Sequence, residues 1–168
     1  HRRQLDAMFR QLITEVRRGP YPSVYLMNGE LRTDEMISLY KAPSIKALFA
    51  PTRGEGFGLP LLEAAASDLP IIATGWSAHD EFLHLGRYIE IEHDLVEVPP
   101  ARVDGSIFMQ GARWAHPREV DVKRKLQKFY KSSSLPKQWA TGLGKTIREK
   151  YSFESISRHY DQAFKEIL

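Results

Sequence analysis

Two carboxylates, Glu55 and Glu63, bracket a glycine-rich stretch, and they are the residues whose type and spacing point most directly to chemistry. The seven residues between them read Gly56-Phe57-Gly58-Leu59-Pro60-Leu61-Leu62. An ionised carboxylate is an acceptor only, and its two oxygens can take two vicinal hydroxyls at once. Glycine lets backbone approach a ligand closely, because no Cβ stands in the way. Taken alone, two glutamates at this spacing are a weak signal. Glu63 then reads as a solvent-facing helix residue and Glu55 as a loop charge.

The elements that must position these groups give the pair its weight. Ile45 to Ala50 reads as a strand, ending in the apolar run Ala47 to Ala50. Pro51 to Gly58 form a loop carrying Gly54, Gly56 and Gly58. Pro60 then stands where a helix begins, since its fixed φ and missing N–H are harmless there. Leu61 to Ala66 are good helix formers, and the spacing predicts a helix over 60–67. Strand, glycine loop and helix N-terminus place backbone N–H groups and a positive dipole end at the carboxyl edge of a sheet. Anionic ligands bind there in α/β proteins.

The run P-T-R-G-E-G-F-G-L-P-L-L-E-A resembles the donor-sugar motif of retaining glycosyltransferases of the GT-B fold, the group 1 glycosyl transferases with an E-x7-E motif. The resemblance implies that Glu55 is the catalytic-site ligand of the donor sugar and that Glu63 holds the ribose of the nucleotide. It implies that Gly56, Phe57, Gly58 and Leu59 offer main-chain N–H groups to the sugar and diphosphate. Asn28 to Lys41 resembles the same family's segment lining the nucleotide base pocket, which makes Gly29, Glu30 and Leu31 candidate donor-binding residues. A plain strand–helix turn accounts for any one of them equally well. Gly75 to Leu83 is similar to the family's G-G-x-x-E turn, with Glu81 at the Glu, but Ser77 and Ala78 stand where two glycines are usual. That departure bears on donor preference more than on fold.

Composition bounds the remaining classes. The chain has 168 residues, enough for one domain with a real core, and a net charge of +3. So mild a basic balance permits an anionic ligand without demanding nucleic acid. There is no cysteine, so no disulfide or thiolate metal site exists, and nothing argues for secretion. No apolar run approaches the length of a membrane helix.

Along the chain, 1–18 read as an amphipathic helix on Leu5, Met8, Phe9, Leu12, Ile13 and Val16, with Arg2, Arg3, Arg10, Arg17 and Arg18 largely on the other face. Such a face admits peripheral membrane contact, although a solvated surface explains it more simply. Val24 to Met27, Pro70 to Thr74 and Ile89 to Ile91 read as strands, and a helix starts at an N-cap Thr33 and runs through Tyr40. Residues 92–116 read as irregular, with Trp114 packing over a sheet edge. Helices follow at about 117–131, 136–150 and 153–167. The basic run Lys123, Arg124, Lys125, Lys128 and Lys131 reads as a solvated face. His79, Asp80, Glu81 and His84 read as a surface cluster, since their spacing lacks the i, i+4 histidine pair of a zinc helix. His93-Asp94 reads equally as an acid–base pair or a turn. Gly142 to Thr146 echoes a phosphate-binding loop, but no strand precedes it and Trp139 stands where the first glycine belongs.

The expected fold is α/β: a Rossmann-like three-layer sandwich with a mainly parallel sheet, the C-terminal half of a GT-B enzyme lacking its first strand or strands. The expected function is the donor-binding half of a glycosyltransferase moving a hexose from a nucleoside-diphosphate sugar. The acceptor, a glycan or lipid, would be bound by an N-terminal domain absent from this sequence, and the chain alone would not turn over. No metal or cofactor is expected, the resemblance implying a reaction without a divalent metal. A cytoplasmic place follows, with contact at the inner face of the membrane admitted. The alternative is a module that binds a nucleotide-sugar or glycan without turnover.

Overall fold

The structure, a computed structural model, describes residues 2–17 and 19–167; Arg18 and the side chains of Arg2, Glu166 and Ile167 lie outside the described residues. The chain divides into two compact units, His1–Glu35 and Met36–Leu168.

The first unit holds helix α1 (Arg2–Val16), after which the described residues up to Arg32 form no helix or strand. Leu5, Met8, Phe9, Leu12 and Val16 are exposed along α1. Asp6 and Arg10 pair one turn apart at 2.9 Å. The expected strand at Val24 to Met27 is not formed, and all four residues are exposed. Their β propensity is local, whereas a strand exists only when a neighbour supplies the ladder. Helix α2 (Thr33–Lys41) begins at Thr33 itself. The Arg32 N–H donates to Glu35 at 2.9 Å, the reciprocal half of a capping box.

The second unit is mixed α/β around a small sheet of β1 (Leu48–Ala50), β2 (Ile71–Thr74) and β3 (Ile89–Ile91). The order is β1-β2-β3 and both pairings are parallel, with Leu48 opposite Ile71 and Ile72 opposite Ile89. Every residue of β2 is buried, as a central parallel strand covered on both faces requires. Helix α3 (Leu59–Ala66) follows β1, and the short α4 (Asp80–Leu83) follows β2. The core joins Leu61, Ala64 and Ala65 of α3 to Ala73, Phe82, and Leu143 and Ile147 of α6 (Ser134–Lys150). α3 and α6 come so close at Gly144 that a Cβ there would sit 2.6 Å from the Ala65 carbonyl oxygen. The glycine of the phosphate-loop echo is therefore a helix-packing residue.

Residues 92–116 are not irregular throughout. β4 (His93–Glu97) and β5 (Arg113–Pro117) form an antiparallel hairpin, with Leu95 opposite Ala115. Between them lie a single 3₁₀ turn, Pro100–Arg102, and a loop gathered on Asp104, whose carboxylate accepts from the N–H of Ser106, Ile107 and Phe108. These bonds hold the Asp104 carboxyl below the usual carboxylate range. His93-Asp94 is neither an acid–base pair nor a turn. Asp94 lies in β4 and takes a two-pronged bond from Arg118, which lowers its pKa, while the His93 ring lies 5.8 Å from Trp76.

Helix α5 (Glu119–Lys131) closes the outer edge of β3. Asp121, 4% exposed, accepts from the Glu92 N–H at 2.8 Å, and Lys125 donates to the Glu90 carbonyl. Lys125 and Arg124 both pair with Asp121. The basic run is thus only partly a solvated face. Helix α7 (Phe153–Ile167) ends the described chain and leaves Phe153, Tyr160 and Phe164 exposed. Among the described residues, no helix is long and apolar enough to cross a membrane.

Candidate functional site

The loop carrying Glu55 leaves the carboxyl end of β1 and runs directly into α3. Gly58 caps α3 with φ 90° and ψ 45°, in the left-handed region. A Cβ there would also lie 3.0 Å from His79 Cβ and 3.1 Å from Leu61 Cδ1. Glycine is therefore required twice over, by backbone angle and by space. Pro60 sits inside the first turn of α3, as its chemistry favours. The N–H groups of Leu61 and Leu62 close onto the Gly58 carbonyl at 2.9 and 3.0 Å. Among the described residues, the N–H groups of Gly56, Phe57, Gly58 and Leu59 donate to nothing. The positive end of the α3 dipole lies at these free donors.

Of the two glutamates, Glu55 is half-buried and Glu63 exposed. Glu63 accepts from the Tyr40 hydroxyl at 3.4 Å, a long contact that ties α2 to α3. Burial, then the Glu63 charge, push the Tyr40 phenol above its ordinary pKa. Phe57 packs its ring 5.5 Å from Phe82 and seats the loop on the core, and Leu59 is exposed. Glu55 to Leu59 thus run consecutively through the loop into the start of α3, and Glu63 is the fifth residue of that helix. Gly29, Glu30 and Leu31 belong to the first unit and are exposed on the segment before α2.

A second turn, Gly75 to His79, lies under the loop. The Ser77 hydroxyl accepts from the Glu55 N–H at 2.9 Å and donates to the Glu55 carbonyl at 2.7 Å. Ser77 has φ 93°, in the left-handed region that favours glycine. A non-glycine residue there costs roughly 1–3 kcal/mol. His79 is not a surface residue. It is fully buried, and its Nε2 lies 2.7 Å from the Thr74 carbonyl, which fixes Nε2 as the protonated nitrogen. His79 Nδ1 and the hydroxyls of Thr52 and Thr74 are buried without a protein partner. Asp80 takes a bond from the Tyr88 hydroxyl at 3.0 Å and lies 3.7 Å from His84, while Glu81 is exposed in the first turn of α4. Among the described residues, no group of three or more His, Asp or Glu is placed to hold a metal ion.

The β4–β5 hairpin reaches the same loop. The Ala115 N–H donates to the Arg53 carbonyl at 3.0 Å, and the Arg53 guanidinium lies 4.4 Å from the centre of the Trp114 ring. Phe108 meets Trp114 edge-on, with ring centres 5.4 Å apart. Sequence reasoning missed Ser77, His79 and Arg53. Only Ser77 left a signal, as the departure from glycine. A cavity of about 540 Å³ between β3, α5 and α6, lined by Tyr88, Lys128, Phe129 and Trp139 among others, contains none of the loop residues. Compared with protein-family models, with curated proteins and with solved structures, the chain matches none.

Proposed function

We propose that this chain is the donor-binding part of a retaining glycosyltransferase with a Rossmann-like, GT-B type fold. It would move a hexose from a nucleoside-diphosphate sugar to a glycan, lipid or other acceptor held by another domain. One observation carries the reading. Glu55 and four unbonded N–H groups stand together at the carboxyl edge of a parallel sheet, with Glu63 on the helix that begins there.

In this reading the Glu55 carboxylate accepts two neighbouring hydroxyls of the sugar, and Glu63 accepts the ribose hydroxyls. The N–H groups of Gly56 to Leu59 and the positive end of α3 face the diphosphate. As the bond to the leaving diphosphate breaks, positive charge grows on the sugar ring and negative charge on the phosphate. A carboxylate on one side and oriented donors on the other stabilise both, with little reorganisation.

Calorimetric titration with UDP-, GDP- and ADP-sugars, each beside its free diphosphate, tests this. Binding of one nucleotide series, tighter with the sugar than without it, supports the reading. Folded protein that binds none of the three overturns it. A bound donor with no nucleotide released, even when the acceptor-binding domain and acceptor are supplied, points instead to the non-catalytic module.

A further inference from the structure

The turn between β2 and α4 is fixed at three points. The Trp76 N–H donates to the Thr74 carbonyl at 2.9 Å, and the Asp80 N–H to the Ser77 carbonyl at 3.1 Å. His79 is bound to the Thr74 carbonyl and lies against Gly58. From this turn one hydroxyl, that of Ser77, satisfies both main-chain groups of Glu55. The same hydroxyl is the nearest neighbour of Gly54, 3.6 Å from where a Cβ would be. A serine in a glycine conformation is retained only where its side chain offsets the strain, and here the side chain's two bonds both go to Glu55.

We propose that Ser77 is a positioning residue for Glu55: by bonding both the N–H and the carbonyl of that residue, it fixes the backbone from which the carboxylate projects and so sharpens selection of the donor sugar by the arrangement of its hydroxyls. The selection rests on the donor-binding reading; the clamp itself does not. A glycine at this position would free the backbone of strain but leave the Glu55 main chain untied. Its carboxylate would then sample several positions, and sugars differing at one hydroxyl would be told apart less well. The diphosphate, held by N–H groups further along the loop, would not feel the change.

The test uses the wild-type protein, Ser77→Ala and Ser77→Gly. Ser77→Ala keeps the Cβ and the strain but loses the hydroxyl; Ser77→Gly loses both, and guards against a variant that merely folds poorly. Amide exchange at Glu55 is read first, against amides of β2 and α6. Both variants should raise it about tenfold, the scale of one lost backbone hydrogen bond, with the reference amides unchanged. UDP-glucose, UDP-galactose (which differs at one hydroxyl), GDP-mannose and ADP-glucose are then titrated beside UDP, GDP and ADP. Both variants should lose roughly tenfold of the sugar-dependent affinity, while free diphosphate binds as in wild type. Unchanged exchange at Glu55 overturns the clamp. Equal losses for sugar nucleotide and diphosphate overturn the positioning role, because general damage to the loop would do the same. Wild-type protein that binds no nucleotide sugar overturns the donor reading and the selection with it, while exchange at Glu55 still decides the clamp.

Discussion

The guanidinium of Arg53 rests 4.4 Å from the centre of the Trp114 ring, so the loop that carries Glu55 is seated on the β4–β5 hairpin. A cation over an indole contributes about 0.5–1 kcal/mol at an exposed site. Arg53→Met keeps the aliphatic stem and removes the charge. It should lower unfolding stability by about that amount, and Trp114→Phe, with a weaker ring, by a comparable or larger one. Urea midpoints at a common slope measure both, and the double variant should lose less than the sum of the two.

Glu55→Gln and Glu63→Gln should fail differently. Each substitution keeps shape but removes charge, weakening a charge-assisted bond worth roughly 1.5–3 kcal/mol. The Glu63 variant should lose affinity for free nucleoside diphosphate, which carries the ribose. The Glu55 variant should keep that affinity and lose the increment due to the sugar. Calorimetry separates the two, and a reversed pattern would reverse the roles of the two carboxylates.

Gly58→Ala should be the costliest small change in the loop. The left-handed angle alone costs an L-residue about 1–2 kcal/mol, and the new methyl meets His79 and Leu61 at 3.0 and 3.1 Å. Thermal unfolding should show a lower midpoint. Gly56→Ala, where a Cβ meets nothing within 4 Å, should leave the midpoint nearly unchanged.

Asp121 gives stability a definite pH dependence. Burial alone would push its carboxyl up, but the bonds from Lys125, the Glu92 N–H and Arg124 outweigh this and hold it at about 2. A carboxyl lowered on folding contributes stability that is fully present above its unfolded pKa of about 3.9 and is lost as pH falls through the folded value. The contribution is on the order of 2 kcal/mol, one pKa unit being about 1.4 kcal/mol. Asp121→Asn should therefore be less stable than wild type at pH 7, and the gap should narrow between pH values of about 4 and 2. Urea titrations across that range measure it.

What the sequence disclosed was what is decided locally. Gly58, Pro60 and the apolar residues after them specify a loop and a helix start within a few positions, and α3 begins within one residue of expectation. β4 and β5 were illegible because they carry His93, Asp94, Arg113 and His116 in place of an apolar alternation, and some fifteen residues of turn and loop separate them. Val24 to Met27 shows the opposite case, a good strand sequence without a neighbour. His79 was hidden for another reason. A histidine among Asp80, Glu81 and His84 reads as surface, and only the Thr74 carbonyl, which meets it in three dimensions, permits its burial. Ser77 is plain in the sequence, but nothing in the letters says that its hydroxyl reaches the backbone at 55.

The side chains of α5 that occupy the outer margin of β3 limit how copies of this protein can associate. With Asp121 and Lys125 standing where another strand would bond, that margin cannot act as a template for further chains. β1 has one strand partner among the described residues, β2. Edge-to-edge growth of the sheet is therefore stopped at β3.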